Sequence, residues 1–293
     1  MNILGEGYIP QPPNTERSRR HPEQSWLANP GHFETIIRRH QIIQSLRQYL
    51  LGRQFIEIDT PILQRVYGGA EATPFVTETS SRQERFLRIA PELYLKRAII
   101  GGFDRVFEIG HNFRNESRDR SHSPEFSFLE VYESYTSWED GITMLQEMME
   151  LTCGDRDIPV IPMREVVESF TGRPVSDLEE MLQVFEDEVE PTITSPVIVT
   201  HFPAFCSPLA EVDPNDPAIA LRYELYADGM EIANGYQELR DPSRHPDTVD
   251  PDYLESLELG LPPTSGFGIG LDRLVMRSLG RDDISECVPF PFT

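Results

Sequence analysis

The stretch FEIGHNFRNESRDRSHSPEFSFLEVYESY, Phe107 to Tyr135, decides how the chain is read. It reads as two strands of alternating apolar and polar residues joined by a polar, arginine-bearing loop. A period of two puts Phe126, Phe128, Glu130 and Tyr132 on one face of the second strand. A buried sheet face does not carry Glu beside Tyr and Phe unless something polar binds there. Arg114 and Glu116 stand at the exit of the first strand. An arginine, two carboxylates and two aromatics converging on a sheet suit a ligand with a phosphate, an amine and a flat ring.

Two further stretches extend this reading. In SGFGIGLDRLVM, Ser265 to Met276, glycine-rich extended chain runs into an apolar helix with Arg273 in its first turn. Glycines let backbone approach a ligand, and a helix start beside an arginine favours phosphate. A dinucleotide fingerprint is rejected, because its third glycine position holds Arg273. In ELYADGMEIANGYQEL, Glu224 to Leu239, Asp228-Gly229 reads as a two-residue type I′ hairpin turn. That turn pairs Ala227 with Met230, Tyr226 with Glu231, and Glu224 with Ala233. Glu224 and Glu231 then share a face as diagonal neighbours, and two carboxylates so close favour a cation between them. Strict alternation turns Asn234 and Glu238 away from that face. A bulge near Asn234-Gly235 is expected to restore them.

Composition narrows the class. The chain has 293 residues, 39% of them apolar, enough to bury a full core, and a net charge of −23. Such a chain repels nucleic acid unless its positive charge is concentrated locally. Arg17, Arg19, Arg20 and His21 form one cluster, and Arg38, Arg39 and His40 another. Each is read either as a solvated patch or as a docking site for an acidic partner. No apolar run spans a membrane and the N-terminus is no signal peptide. Three separated cysteines without a C-x-x-C pair suggest neither zinc nor disulfides, and a cytoplasmic location is expected.

These stretches, with LRIAPELYLKR at Leu87–Arg97 and GLPPTSGFGIGLDRLVM at Gly260–Met276, resemble class II aminoacyl-tRNA synthetases, closest in wording to the lysyl-tRNA synthetases. The likeness runs over roughly residues 30 to 290, with five motifs in order. It implies an α+β fold with a mostly antiparallel six- to seven-stranded sheet flanked by helices. It implies an irregular arm over residues 1–28, then the catalytic domain over 29–293 with an acidic helical insertion at about 153–195, between two sheet halves. No anticodon-binding domain is expected. The helix from His32 to Leu51 and the segment FIEIDTPIL resemble motif 1, which implies a homodimer.

The resemblance also implies roles. Arg114 and Arg273 are the catalytic arginines, on the α- and γ-phosphates of ATP. Glu116, His122, Phe126 and Gly270 join them around the nucleotide, with Phe126 stacking on adenine. Glu224 and Glu231 hold Mg²⁺. Glu92, Glu130, Tyr132, Asn234, Glu238 and Gly268 form the amino-acid pocket, and two ammonium groups on lysine or β-lysine suit its acids. The resemblance is also to the stand-alone elongation factor P–β-lysine ligases. The implied reaction is ATP-dependent formation of an aminoacyl-adenylate, then transfer to a lysine side chain of elongation factor P. A tRNA acceptor is the alternative, and a non-catalytic paralogue that binds amino acid or ATP is a third.

Overall fold

A computed structural model describes residues 30–246 and 249–292 of the protein. The expected arm at 1–28, with the Arg17–His21 cluster, lies outside the described residues. The Phe107–Tyr135 stretch folds into β5 (Arg105–Phe113) and β6 (Glu125–Ser134), paired antiparallel from Arg105↔Glu133 to Phe113↔Glu125. Around this hairpin an eight-stranded sheet assembles in the order β1-β5-β6-β11-β10-β9-β8-β7. Its outer members are β1 (Ile56–Glu57), β7 (Val160–Pro162) and β8 (Val197–Thr200). Its centre adds β9 (Arg222–Ala227), β10 (Met230–Gln237) and β11 (Thr264–Gly270). The β1–β5 and β7–β8 pairs are parallel and the others antiparallel. The sheet is therefore wider than the six or seven strands expected, because both short edge strands add to it. A three-stranded sheet, β2 (Leu63–Gln64), β4 (Glu84–Leu87) and β3 (Val76–Glu78), lies beside it.

The sheet's two faces divide the labour. One face buries Phe107, Leu129, Val131, Leu225, Phe267 and Ile269 against three helices: α1 (Pro30–Gly52), α3 (Trp138–Cys153) and α7 (Leu271–Leu279). Leu46, Leu145 and Leu274 are fully buried there, each worth about 1.5–3 kcal/mol. The other face carries the alternate residues, among them Phe126, Phe128, Glu130 and Tyr132. Next to it, α2 (Glu92–Ile100) and α6 (Pro251–Leu257) pack Leu93, Leu95, Ile99 and Leu257 against Val106 and Tyr132.

The segment at 153–195 is helical, with α4 (Met163–Thr171) and α5 (Leu178–Val184); in chain order it falls between β5–β6 and β8–β11. It contributes β7 to the sheet edge. It builds its own core from Met163, Val167, Met181 and Phe185 against Val199, Phe202 and Tyr226. No helix among the described residues is long and apolar enough to cross a membrane.

The Arg38–His40 cluster is neither a solvated nor a docking patch as a unit. Arg39 turns inward, 8% exposed, and pairs with buried Asp272 at 2.6 Å, donates to Ser127 Oγ at 2.6 Å, and reaches the Cys287 carbonyl. Asp272 also accepts from the Ser127 N–H at 2.9 Å. This ties α1 to β6 and to the start of α7. Removing one partner strands the other's buried charge, so Arg39→Met is expected to cost about 3–5 kcal/mol in urea unfolding. A loss under about 1 kcal/mol, the scale of an exposed pair, would contradict this reading.

Candidate active site

Three glycines hollow the open face of the sheet. On β11, Gly266, Gly268 and Gly270 stand opposite Tyr132, Glu130 and Phe128 of β6. A Cβ on Gly266 would strike the Tyr132 ring and lie 2.6 Å from Glu238 Oε1; one on Gly268 would lie 3.1 Å from Glu130 Oε1. Without those side chains the flanking strands enclose a cavity of about 420 Å³. Glu92, Arg114, Glu116, His122, Phe126, Glu130, Tyr132, Glu224, Glu231, Asn234, Gly268, Gly270 and Arg273 all line it. Glu238 does not. It lies behind the wall, 1% exposed.

The hairpin of β9 and β10 turns where expected, with Asp228 and Gly229 both at positive φ (55° and 71°). Ala227 pairs with Met230 and Tyr226 with Glu231, but Glu224 pairs with Asn234, not Ala233. The bulge sits between Glu231 and Ala233, earlier than Asn234-Gly235, and the extra residue brings Asn234 back to the Glu224 side. Glu224 is buried and doubly held: Arg222 pairs with one oxygen and the Tyr226 hydroxyl donates to the other. Arg222 also donates to Asn234 Oδ1 at 3.3 Å. Burial pushes the Glu224 carboxyl up, Arg222 draws it back, and Glu231 pushes it up again. Glu190, from the acidic segment, feels the same crowding. Its carboxyl is raised to about 7 by burial, then by Glu231 and Glu224. Among the described residues no group of three or more His, Cys, Asp or Glu side chains is arranged to hold a metal. Two adjacent carboxylates nevertheless fit Mg²⁺, which takes few carboxylates and fills its shell with phosphate oxygens and water.

The two arginines flank this acidic centre. The Arg114 guanidinium lies 5.2 Å from the Phe126 ring centre, and its buried Nε has no hydrogen-bond partner. Arg273 gathers the β5–β6 loop: it donates to the carbonyls of Ser121 (3.1 Å) and Glu231 (2.7 Å), and to His122 Nε2 at 2.7 Å. A guanidinium only donates, so Nε2 accepts and the His122 Nδ1–H donates to Asp119 at 2.8 Å. Glu116 is exposed on the same loop.

The far end is acidic. Tyr132 donates to Glu130 at 3.1 Å. Burial pushes the Glu130 carboxyl up to about 8, with Glu92 adding to the shift and the Tyr132 hydroxyl opposing it. The Tyr236 hydroxyl donates to Glu92 Oε1 at 2.5 Å. Lys96, fully buried, donates to the same oxygen at 2.5 Å and pairs with Glu238. Sequence reasoning missed Lys96, Arg222, Tyr226, Tyr236 and Glu190. Lys96 carried a usable signal, lying four residues after Glu92 on one helix. Arg222 and Tyr226 alternate with Glu224 on one strand face, the rule that located Glu130.

The family described as tRNA synthetases class II (D, K and N) matches residues 16–293. A lysine–tRNA ligase of Carboxydothermus hydrogenoformans is 34% identical over 90% of this chain and 66% of its own. The lysine–tRNA ligase 2 of Methanosarcina acetivorans is 36% identical over 90% and 63%. A lysine–tRNA ligase of Methanoculleus marisnigri is 35% identical over 95% and 66%. The chain thus spans about two thirds of the length of these curated relatives.

The glycine strand sets a graded prediction. Gly266→Ala drives a methyl into the Tyr132 ring and is expected to cost about 1–3 kcal/mol in urea unfolding. Gly268→Ala meets only the movable end of Glu130 and is expected to cost less. Equal losses would show that the two glycines do not shape the cavity in this way.

Proposed function

Because this chain belongs to the class II tRNA synthetases of the D, K and N group, we propose that it activates lysine or β-lysine with ATP. The product is an aminoacyl-adenylate, whose acyl group passes to a lysine side chain of elongation factor P. One observation carries the activation step. A single cavity holds guanidiniums at its nucleotide end and carboxylates at its amine end, on a floor cleared by glycines. The names of the relatives support lysine.

In this reading the adenine stacks on Phe126, and Glu116 and His122 border the triphosphate beside Gly270. Arg114, which lines the cavity, spans the α-phosphate and the substrate carboxylate. A carboxylate oxygen attacks the α-phosphorus as the bond to pyrophosphate breaks. Arg114 and Arg273 offset the charge gathering on phosphorus and on the leaving group. Glu224 and Glu231 would hold Mg²⁺, which supplies Lewis-acid neutralisation of the phosphates when bound. Glu92 takes the α-amino end, with Asn234 beside it, and Glu130 with Tyr132 takes the terminal ammonium. Gly268 leaves the room for that side chain, and Glu238 acts from behind the wall. No nucleophilic side chain is needed: the acceptor amine, once deprotonated and positioned, attacks the acyl carbon of the mixed anhydride, forming an amide as the acyl C–O bond breaks and AMP leaves.

A tRNA acceptor is the second reading, favoured by the names of the relatives. A net charge of −23 favours the protein acceptor, since phosphate-rich partners are repelled. In α1, Phe33 and Ile37, one turn apart, are 49% and 42% exposed. That apolar strip supports a homodimer.

Pyrophosphate exchange with ATP, Mg²⁺ and lysine or β-lysine tests activation, and labelled acyl transfer to elongation factor P or tRNA tests the acceptor. No exchange with any diamino acid would overturn the enzyme reading; label on tRNA alone would overturn the protein acceptor. Glu231→Ala is expected to lower exchange about a hundredfold or more with the cooperative melt retained. The Glu130 carboxyl, raised to about 8, is neutral below that pH, whereas an ammonium binds its ionised form. The KM for lysine is therefore expected to rise as pH falls below about 8, at most about tenfold per unit. A KM flat across that range would exclude Glu130 as the seat.

A further inference from the structure

Lys96 has no part in adenylate chemistry, yet its placement is too constrained to be incidental. It is fully buried on α2 and joins two carboxylates of unlike situation: Glu92, on the cavity wall, and Glu238, behind it. The rings of Tyr236, Tyr132 and Tyr253 box its ammonium at 5.2, 5.9 and 6.0 Å. His245 packs edge-on against Tyr253 at 5.8 Å and closes the far side. Burial alone would push Lys96 down; Glu238 and then Glu92 outweigh it and hold the ammonium well above its usual range. A buried ion pair gives little net stability, and a well-packed apolar residue serves a core as well or better. Lys96 therefore has another use.

The floor supplies it. With all three ionised, the Glu92, Glu130 and Glu238 carboxylates against the one Lys96 ammonium leave a charge of −2, and because burial holds Glu130 and Glu238 up at about 8 that state is reached near neutral pH only beside a bound cation. Glu238 Oε1 has no hydrogen-bond partner and lies against Gly266 and Tyr132. We propose that Lys96 is a positioning residue for amino-acid selection. It ties Glu92 on the pocket wall to Glu238 behind it and leaves a charge that a ligand with two ammonium groups balances. The tie holds Glu92, at the α-amino end, at a set distance from the acids at the other end. The pocket thereby measures the length of the diamino acid as well as its charge. This rests on the diamino-acid reading above.

The test is Lys96→Met, assayed by pyrophosphate exchange with lysine and with ornithine, one methylene shorter. Without Lys96 the crowded acids keep their protons, since a buried carboxylate neutralises when it loses its partner. The expected result is a KM for lysine raised about tenfold or more near neutral pH, with the KM for ATP within about twofold of native. The pH profile of the lysine KM should move to the alkaline side by about one unit or more. The preference for lysine over ornithine should fall about tenfold, the scale of one methylene. If Lys96→Met gives no cooperative melt, Lys96→Gln keeps a donor for the carboxylates without the charge, and should show the same alkaline move. A folded variant with native lysine KM, native pH profile and native preference would overturn the inference alone. A native protein without exchange on any diamino acid would instead overturn the reading beneath it.

Discussion

A sheet that buries carboxylates on one face must hold cations beside them, and this constraint orders the rest of the molecule. Three cations answer deeply placed acids there: Arg222 beside Glu224 on one strand, Lys96 between Glu92 of its own helix and Glu238, and Arg88 against Glu108. The opposite face, packed on α1, α3 and α7, is apolar and supplies the stability that such a polar face does not. The glycines of β11 then make room where side chains would have sealed the charges away.

The cations also give the cavity a direction. Arg114 and Arg273 stand at one end, and the acids joined through Lys96 at the other. A ligand with phosphates and an ammonium is attracted in one orientation and repelled in the reverse. Between these ends burial and the neighbouring Glu231 and Glu224 push the Glu190 carboxyl up, and burial and Glu231 push Glu224 up, which marks the point where negative charge is in excess. The acidic segment at 153–195 takes part in that excess through Glu190, so it is more than an appendage to the sheet edge.

Much of this was legible because strands have a period of two. Alternation put Phe126, Phe128, Glu130 and Tyr132 on one face, and the Asp228-Gly229 turn put Glu224 near Glu231. The same rule failed at Asn234 by a single residue. A bulge is a local count that alternation does not contain, and glycine at position 235 pointed to the wrong place. Glu238 was misjudged for a different reason. Its partner, Lys96, lies 142 residues away, and no pattern within one strand reveals a cation supplied by a helix. The charged run at Arg38–His40 misled in the opposite sense, since one arginine of the run is buried against Asp272.

That last pair shows how the two faces are joined. Asp272 precedes Arg273, and its carboxylate holds both Arg39 from the rear helix and the N–H of Ser127 between Phe126 and Phe128. Arg273 in turn holds the β5–β6 loop through Ser121 and His122. The aromatic seat, the loop and the second arginine are thus anchored to α1 through one buried carboxylate. A helix whose outer side exposes Phe33 and Ile37 therefore has its inner side fastened to the arginine end of the cavity. Only one side chain separates that outer helix from the cavity, since Arg39 bonds to the residue immediately before Arg273 and to the strand that carries Phe126.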